Sequence, residues 1–230
     1  MKINILLPYK EKFDQNKASS VSITIRNNLS YSTYLNQIRV FGKDVETPLY
    51  KDNFIGLKHS FLSFKGKNEF LAHEMLKIIN KDSDKKQLVE IHNRPYLVEQ
   101  ITKGNEFPVS LFFHNDPQTM KGSKSIKERE NILKKCEKIL CVSEFIKKKF
   151  LEGLNGNCQK VDVLYNGVER KLKKFPEKKK EILFVGRLVA EKGADLYVEV
   201  IKSIANRFPD WKFHLIGSFR LGCDKNKGLF

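Results

Sequence analysis

Short apolar blocks run the length of the chain, and most lead through a polar break into a stretch whose apolar residues recur every three or four positions. That alternation is the pattern of buried parallel strands joined by amphipathic helices. Residues 3–7 read as the first strand, closed by Pro8. A polar loop over 9–17 leads to Ala18, Ser19 and Ser20, then to a helical face of Val21, Ile23, Ile25 and Leu29. A short strand is expected at 36–41, whereas 54–64 is an apolar stretch whose pairing the pattern leaves open. A helix follows at 68–79, marked by Phe70, Leu71, Met75 and Leu76, then a strand at 87–91 and a helix around Leu97, Val98 and Ile101. Strands at 109–113 and 138–142 flank a helix at 125–138, whose apolar face is Ile126, Ile132, Leu133 and Cys136. Ser143 caps a helix at 144–152 with Phe145, Ile146, Phe150 and Leu151 on its apolar side, and a last strand at 161–165 runs into Asn166-Gly167.

This order predicts an α/β fold, with a doubly wound parallel sheet and helices on both faces, over residues 1–168. Residues 169–180 crowd cations without an apolar period and read as a basic interdomain linker. A second β-α-β unit starts within 181–230, with a buried strand at 182–185, a helix carrying Ala194, Leu196, Tyr197, Val200, Ile201 and Ile204, and a strand at 211–217. Little apolar pattern remains after Gly217, so the second domain is expected to be partial.

Composition adds an electrostatic bias. Lys and Arg number 43 against 27 Asp and Glu, for a net charge of +16 over 230 residues. Such a balance suits an anionic partner, and it equally suits a solvated, lysine-rich surface. Nucleic acid is not the expected partner, because the chain shows no recognition-helix pattern, RNA-binding signature or basic patch interleaved with aromatics. The four cysteines, Cys136, Cys141, Cys158 and Cys223, lack zinc-ligand spacing, and two fall in segments that read as buried. Reduced thiols, no signal-peptide pattern after Met1-Lys2 and no apolar run of about 18 to 20 residues predict a cytoplasmic protein.

The candidate chemistry concentrates at 185–193. A strand ends at Gly186, Arg187 and Lys192 follow five positions apart, and Gly193 opens a helix. Backbone N–H groups at a helix start, together with fixed cations, hold phosphate well. The alternative is a phosphate-free turn with Arg187 solvated. The run Val185-Gly186-Arg187-Leu188 with Glu191-Lys192-Gly193, then the helix and Trp211 to Gly217, resembles the start of the donor-binding domain of retaining glycosyltransferase family 4. The resemblance implies a GT-B fold of two Rossmann-like domains. It also implies transfer of a sugar from a nucleotide-sugar to a cell-envelope saccharide or lipid-linked acceptor, with retention of configuration and no metal. In that family the matching arginine and lysine clamp the donor diphosphate, so Arg187 and Lys192 would stabilise the leaving group, beside Gly186 and Gly193.

Further candidates stand at other strand ends. The family's first loop usually carries glycines, but residues 9–20 have none; Ser19 and Ser20 could offer hydroxyls to a ligand or simply cap the helix. His92, Asn93 and Arg94 are candidate ligand contacts or an ordinary turn. The resemblance places a histidine facing the reacting sugar after the strand at 109–113, which makes His114 the catalytic-site histidine; without it, His114 before Asn-Asp-Pro reads as a turn residue. Lys147, Lys148 and Lys149 beside Phe145 are a candidate for peripheral contact with the inner face of an anionic membrane. The family's paired glutamates of the second domain have no counterpart, so the chain is expected to be a truncated glycosyltransferase that the truncation could silence. A non-catalytic basic module for nucleic acid or anionic membrane is the competing reading.

Overall fold

The computed structural model describes residues 1–59, 64, 66–84, 86–155, 158–170 and 172–218, arranged as two compact units, Met1–Glu169 and Arg170–Phe230. In the first unit the chain runs β1 (Lys2–Leu6), α1 (Ser20–Ser30), β2 (Ile38–Lys43), β3 (Phe54–Leu57), α2 (Lys67–Asn80), β4 (Gln87–His92) and α3 (Leu97–Thr102). It continues through β5 (Val109–Phe113), α4 (Ile126–Lys135), β6 (Lys138–Cys141), α5 (Glu144–Leu151) and β7 (Val161–Val163). The strands form one sheet in the order β3-β2-β1-β4-β5-β6-β7, and every pair is parallel. This is the doubly wound sheet expected from the alternation of strands and helices. The unassigned stretch at 54–64 supplies β3 at the sheet edge, paired with β2; residues 60–63 of it lie outside the described residues.

Period-two alternation along the strands sorts their side chains to two faces. Ile5 and Leu7 pack with Phe13, Val21, Ile25 and Leu29 on the α1 side. Leu6 turns the other way, into a larger core with Leu71, Met75, Ile91, Leu111, Ile132 and Phe150. Serine caps start three helices. The Ser19, Ser125 and Ser143 side chains accept from Ser22, Glu128 and Ile146 N–H groups, and Glu128 completes a capping box by accepting from Ser125 N–H. The helix expected to reach 138 stops at Lys135, because Glu137 N–H already donates to Val109 O and enters the sheet. Cys136 and Cys141 are sealed in the larger core, and burial pushes both thiols up to about 12, which keeps them protonated.

The second unit holds β8 (Glu181–Val185), α6 (Ala194–Ile204) and β9 (Lys212–Ile216), with β8 and β9 parallel. Residues 182–185 read as a buried strand in sequence, but Leu183 and Val185 are 52% and 70% exposed. Among the described residues the sheet has two strands and one long helix, too little to cover both faces. Of the segment after Gly217, only Ser218 falls within the described residues.

Arg129 is the charged residue most deeply built into the first unit, at 2% exposure. Its guanidinium donates to the carbonyls of Lys124 (2.8 Å) and Glu152 (2.6 Å), joining the start of α4 to the end of α5. Arg129→Met removes these donors and, with the Ser123 carbonyl that Nη1 also reaches at 3.3 Å, leaves three carbonyls short of partners, so a loss of about 2–4 kcal/mol is expected in urea denaturation. Arg129→Lys is expected to recover only part of that, because one ammonium does not reproduce the guanidinium fork.

Candidate functional site

Parallel strands send all their carboxyl ends to one edge of the sheet, and the order reverses between β1 and β4, which opens a crevice there. The loop after β1 is pinned against the segment after β2. Asp14, itself nearly buried, accepts from Asn16 and Lys17 N–H (both 2.9 Å) and from the Thr47 hydroxyl (3.1 Å). Phe13 locks the same loop by stacking on Phe54 at 5.5 Å. Ser19 spends its hydroxyl on the α1 cap, whereas the exposed Ser20, at the first position of α1, keeps its side chain toward solvent.

The ends of β4 and β5 are stitched together by Asn93. Its backbone is left-handed (φ 50°), a conformation asparagine tolerates better than most residues. From that position Asn93 Oδ1 accepts from His114 N–H (2.8 Å) and Asn93 Nδ2 donates to Asn115 Oδ1 (2.9 Å). Asn93 is therefore a turn residue and also the residue that holds His114 in place. Arg94 Nη1 donates to Asn93 O at 2.6 Å, on the same turn.

Behind this turn three side chains form a chain of hydrogen bonds along the sheet. Glu90 Oε1 lies 2.7 Å from His92 Nε2, and His92 Nδ1 lies 2.8 Å from His114 Nε2. The two imidazoles stack on Phe112, with ring centroids at 5.2 and 4.6 Å, and His92 is only 1% exposed. A carboxylate only accepts, so His92 Nε2 donates to Glu90; when His92 carries that ring proton alone, its Nδ1 accepts and His114 Nε2 is the donor. That assignment leaves His114 Nδ1 as a bare acceptor with no hydrogen-bond partner among the described residues, and it is not sealed from solvent. Burial, and secondarily the neighbouring His92, push His114 down to about 3 from 6.5. The ring is thus neutral at physiological pH, a hydrogen-bond acceptor and a poor general base.

In the second unit Gly186, Arg187, Lys192 and Gly193 share one loop. Gly186 N–H donates to Ile216 O (3.0 Å), and the loop comes so close to β9 that a Cβ on Gly217 would lie 1.8 Å from Gly186 O. Lys192 approaches the turn as well, its Cβ 4.0 Å from where a Cβ on Gly186 would stand. Gly193 takes the left-handed conformation (φ 74°, ψ 25°) that turns a short 3₁₀ segment into α6, and no side chain caps that helix. Lys192 is exposed and has no ion pair among the described residues, while Arg187 Nη2 lies 3.5 Å from Glu191 Oε2. The N–H groups of Gly186, Leu188, Val189, Lys192 and Gly193 already donate to backbone carbonyls, so what the loop offers an anion is the uncapped start of α6, one cation with no ion pair among the described residues and one cation partly held by a neighbouring acid.

The structure brings His92, Asn93 and His114 together in the first unit, and Gly186, Arg187, Lys192 and Gly193 together in the second. Glu90 was not singled out in sequence, and Glu191 stood there only as part of the motif, without a role. Glu90 could have been found from its i,i+2 relation to His92 on one strand face, and Glu191 from its i,i+4 relation to Arg187. The His114 ring should stay neutral from pH 8 down to pH 5 in ¹⁵N imidazole spectra; a midpoint near 6.5 would show this ring open to water. Because its folded value is depressed, the contribution of this ring to stability is complete above pH 6.5 and is lost as pH falls toward 3.

Residues 167–228 match the family described as "Glycosyl transferases group 1". A curated relative, "Uncharacterized glycosyltransferase MJ1178" of Methanocaldococcus jannaschii, is 36% identical over 85 residues, covering 37% of this chain and 22% of that protein. Among solved structures, Anabaena Alr3699/HepE in complex with UDP and glucose superimposes with a TM-score of 0.62 at 13% identity, over 96% of this chain and 62% of that one. Sucrose-phosphate synthase from Thermosynechococcus elongatus gives a TM-score of 0.64 at 14% identity, over 99% of this chain and 64% of that one. The chain thus spans about a fifth of the curated relative and somewhat under two thirds of these structures. At such low identity the structural likeness speaks for the fold alone. The fold is the α/β fold of GT-B glycosyltransferases, and residues 167–228 are similar to glycosyl transferases group 1.

Proposed function

We propose that this chain belongs to a glycosyltransferase that moves a sugar from a nucleotide-sugar to a saccharide or lipid-linked acceptor, with retention of configuration. The loop from Gly186 to Gly193 carries the reading: it joins an uncapped helix start to two cations, a combination whose charge suits a diphosphate. Breaking the bond between the sugar's anomeric carbon and the phosphate oxygen leaves negative charge on the departing nucleotide. In this reading Arg187 and Lys192 offset that charge, and no resident metal or cofactor is invoked. Arg187 would exchange its Glu191 partner for the diphosphate.

His114 has a role that fits its charge state. A neutral imidazole with a bare Nδ1 accepts a hydrogen bond from a sugar hydroxyl and orients it, without taking its proton at neutral pH. Ser20 is free to make a similar contact from the start of α1, while Ser19 supports the helix. Among the described residues no helix is long and apolar enough to cross a membrane. We read the protein as acting in the cytoplasm, with peripheral contact to the inner face of the membrane where the acceptor is lipid-linked.

Isothermal titration of the purified chain with UDP, GDP and ADP tests the reading, with saturable binding expected for one of them. A charge-assisted hydrogen bond contributes about 1.5–3 kcal/mol, so Arg187→Ala and Lys192→Ala should each weaken that binding roughly tenfold or more. Unchanged affinity in both variants, or no binding by the folded protein, would overturn the clamp. Glu191→Gln should act in the opposite direction, tightening binding about two- to fivefold, because it frees Arg187 from an exposed ion pair.

A further inference from the structure

The densest charge in the chain lies outside the candidate site. Residues 170–180 hold seven cations and one acid, Glu177. The segment's described residues form no helix or strand, and Lys171 lies outside them. Lys173, Lys174, Lys178 and Lys179 are exposed with no ion pair among the described residues, whereas Lys180 is paired with Asp210. Two apolar side chains stand among these cations in full view of solvent: Phe175 is 90% exposed and Leu172 59%. The Arg170 guanidinium sits over the Phe175 ring at 5.5 Å.

We infer that residues 170–180 dock on an anionic lipid surface. Several uncommitted lysines draw the segment to negatively charged headgroups, and Phe175 and Leu172 enter the boundary between headgroups and acyl chains, recovering the cost of their exposure to water. Leu172 and Phe175 have no group that could hydrogen-bond a base edge, and Leu172 has no ring to stack, so lipid fits the pair better than nucleic acid. The other basic candidate, α5, is less free. Lys149 is tied to Glu152, Lys147 and Lys149 are half-buried, and Glu144 flanks the exposed Phe145. The inference does not depend on the glycosyltransferase reading, since it rests on charge and exposure within this segment alone.

Co-sedimentation of the full chain with phosphatidylcholine vesicles, with and without phosphatidylglycerol, tests it. Binding should require phosphatidylglycerol and weaken with salt. The combined Lys173→Gln, Lys174→Gln, Lys178→Gln and Lys179→Gln variant should bind at least about tenfold more weakly, and Phe175→Ser a few fold more weakly. Both should keep the wild-type melting temperature, because the altered side chains are exposed. Lys147→Gln with Lys148→Gln should change vesicle binding little. Absence of binding, full binding by the folded four-lysine variant, loss of binding in the α5 variant instead, or tighter binding to duplex DNA than to vesicles would each overturn the inference. A chain that titrates a nucleoside diphosphate yet ignores vesicles would sink this inference and leave the proposed function standing; the reverse result would do the opposite.

Discussion

Parallel pairing is the constraint on which the first unit depends. Strands that all run one way cannot be joined by hairpins, so each connection must cross a face of the sheet and every strand delivers its following loop to the same edge. The helices that make those crossings are amphipathic because one side must cover the sheet, and α1, α4 and α5 are capped by serine where they begin. Residues far apart in the chain, after β1, β4 and β5, are thereby set side by side. The reversal of order between β1 and β4 turns the edge into a crevice, where ligands of open α/β sheets collect.

At that edge polar groups are buried on terms that limit their chemistry. Asn93 accepts the left-handed turn and in return orders the ends of two strands through one side chain. His92, enclosed against Phe112, has its donor and acceptor roles set by Glu90 on one side, and it passes that choice to His114 on the other. Low exposure then keeps His114 uncharged. Burial here yields a held, uncharged imidazole in place of a titrating base.

The second unit follows a different economy. Its two strands leave apolar positions such as Leu183 and Val185 open, and its order comes from close backbone approach at Gly186 and Gly217 and from the Tyr197 hydroxyl, 3.0 and 2.9 Å from Ile182 O and His214 O. The loop at its centre gathers positive potential without deep burial. Arg187 and Glu191 form an ion pair that is open to solvent and therefore weak.

Much of this was legible in the chain's own pattern. The strands, the helices and their serine caps are local features, written in runs of a few residues by periodicity and by residues that start or stop a helix. The loop of Arg187 and Lys192 was legible for the same reason, since strand, turn and helix start are contiguous in sequence. Pairing was not: the short β3 lacked any mark of its neighbour, and β8 read as buried because an apolar run looks the same whether or not anything covers it. Nor could sequence show that His114 meets His92, 22 positions away, or that Arg129 would be enclosed. By itself the sequence determined which residues stand at strand ends and helix starts, because those choices are made within a turn or two of chain. Only the tertiary structure decided the order of strands, the partner and charge of His114 and the exposure of Phe175, because burial is a property of the residues that close around a side chain.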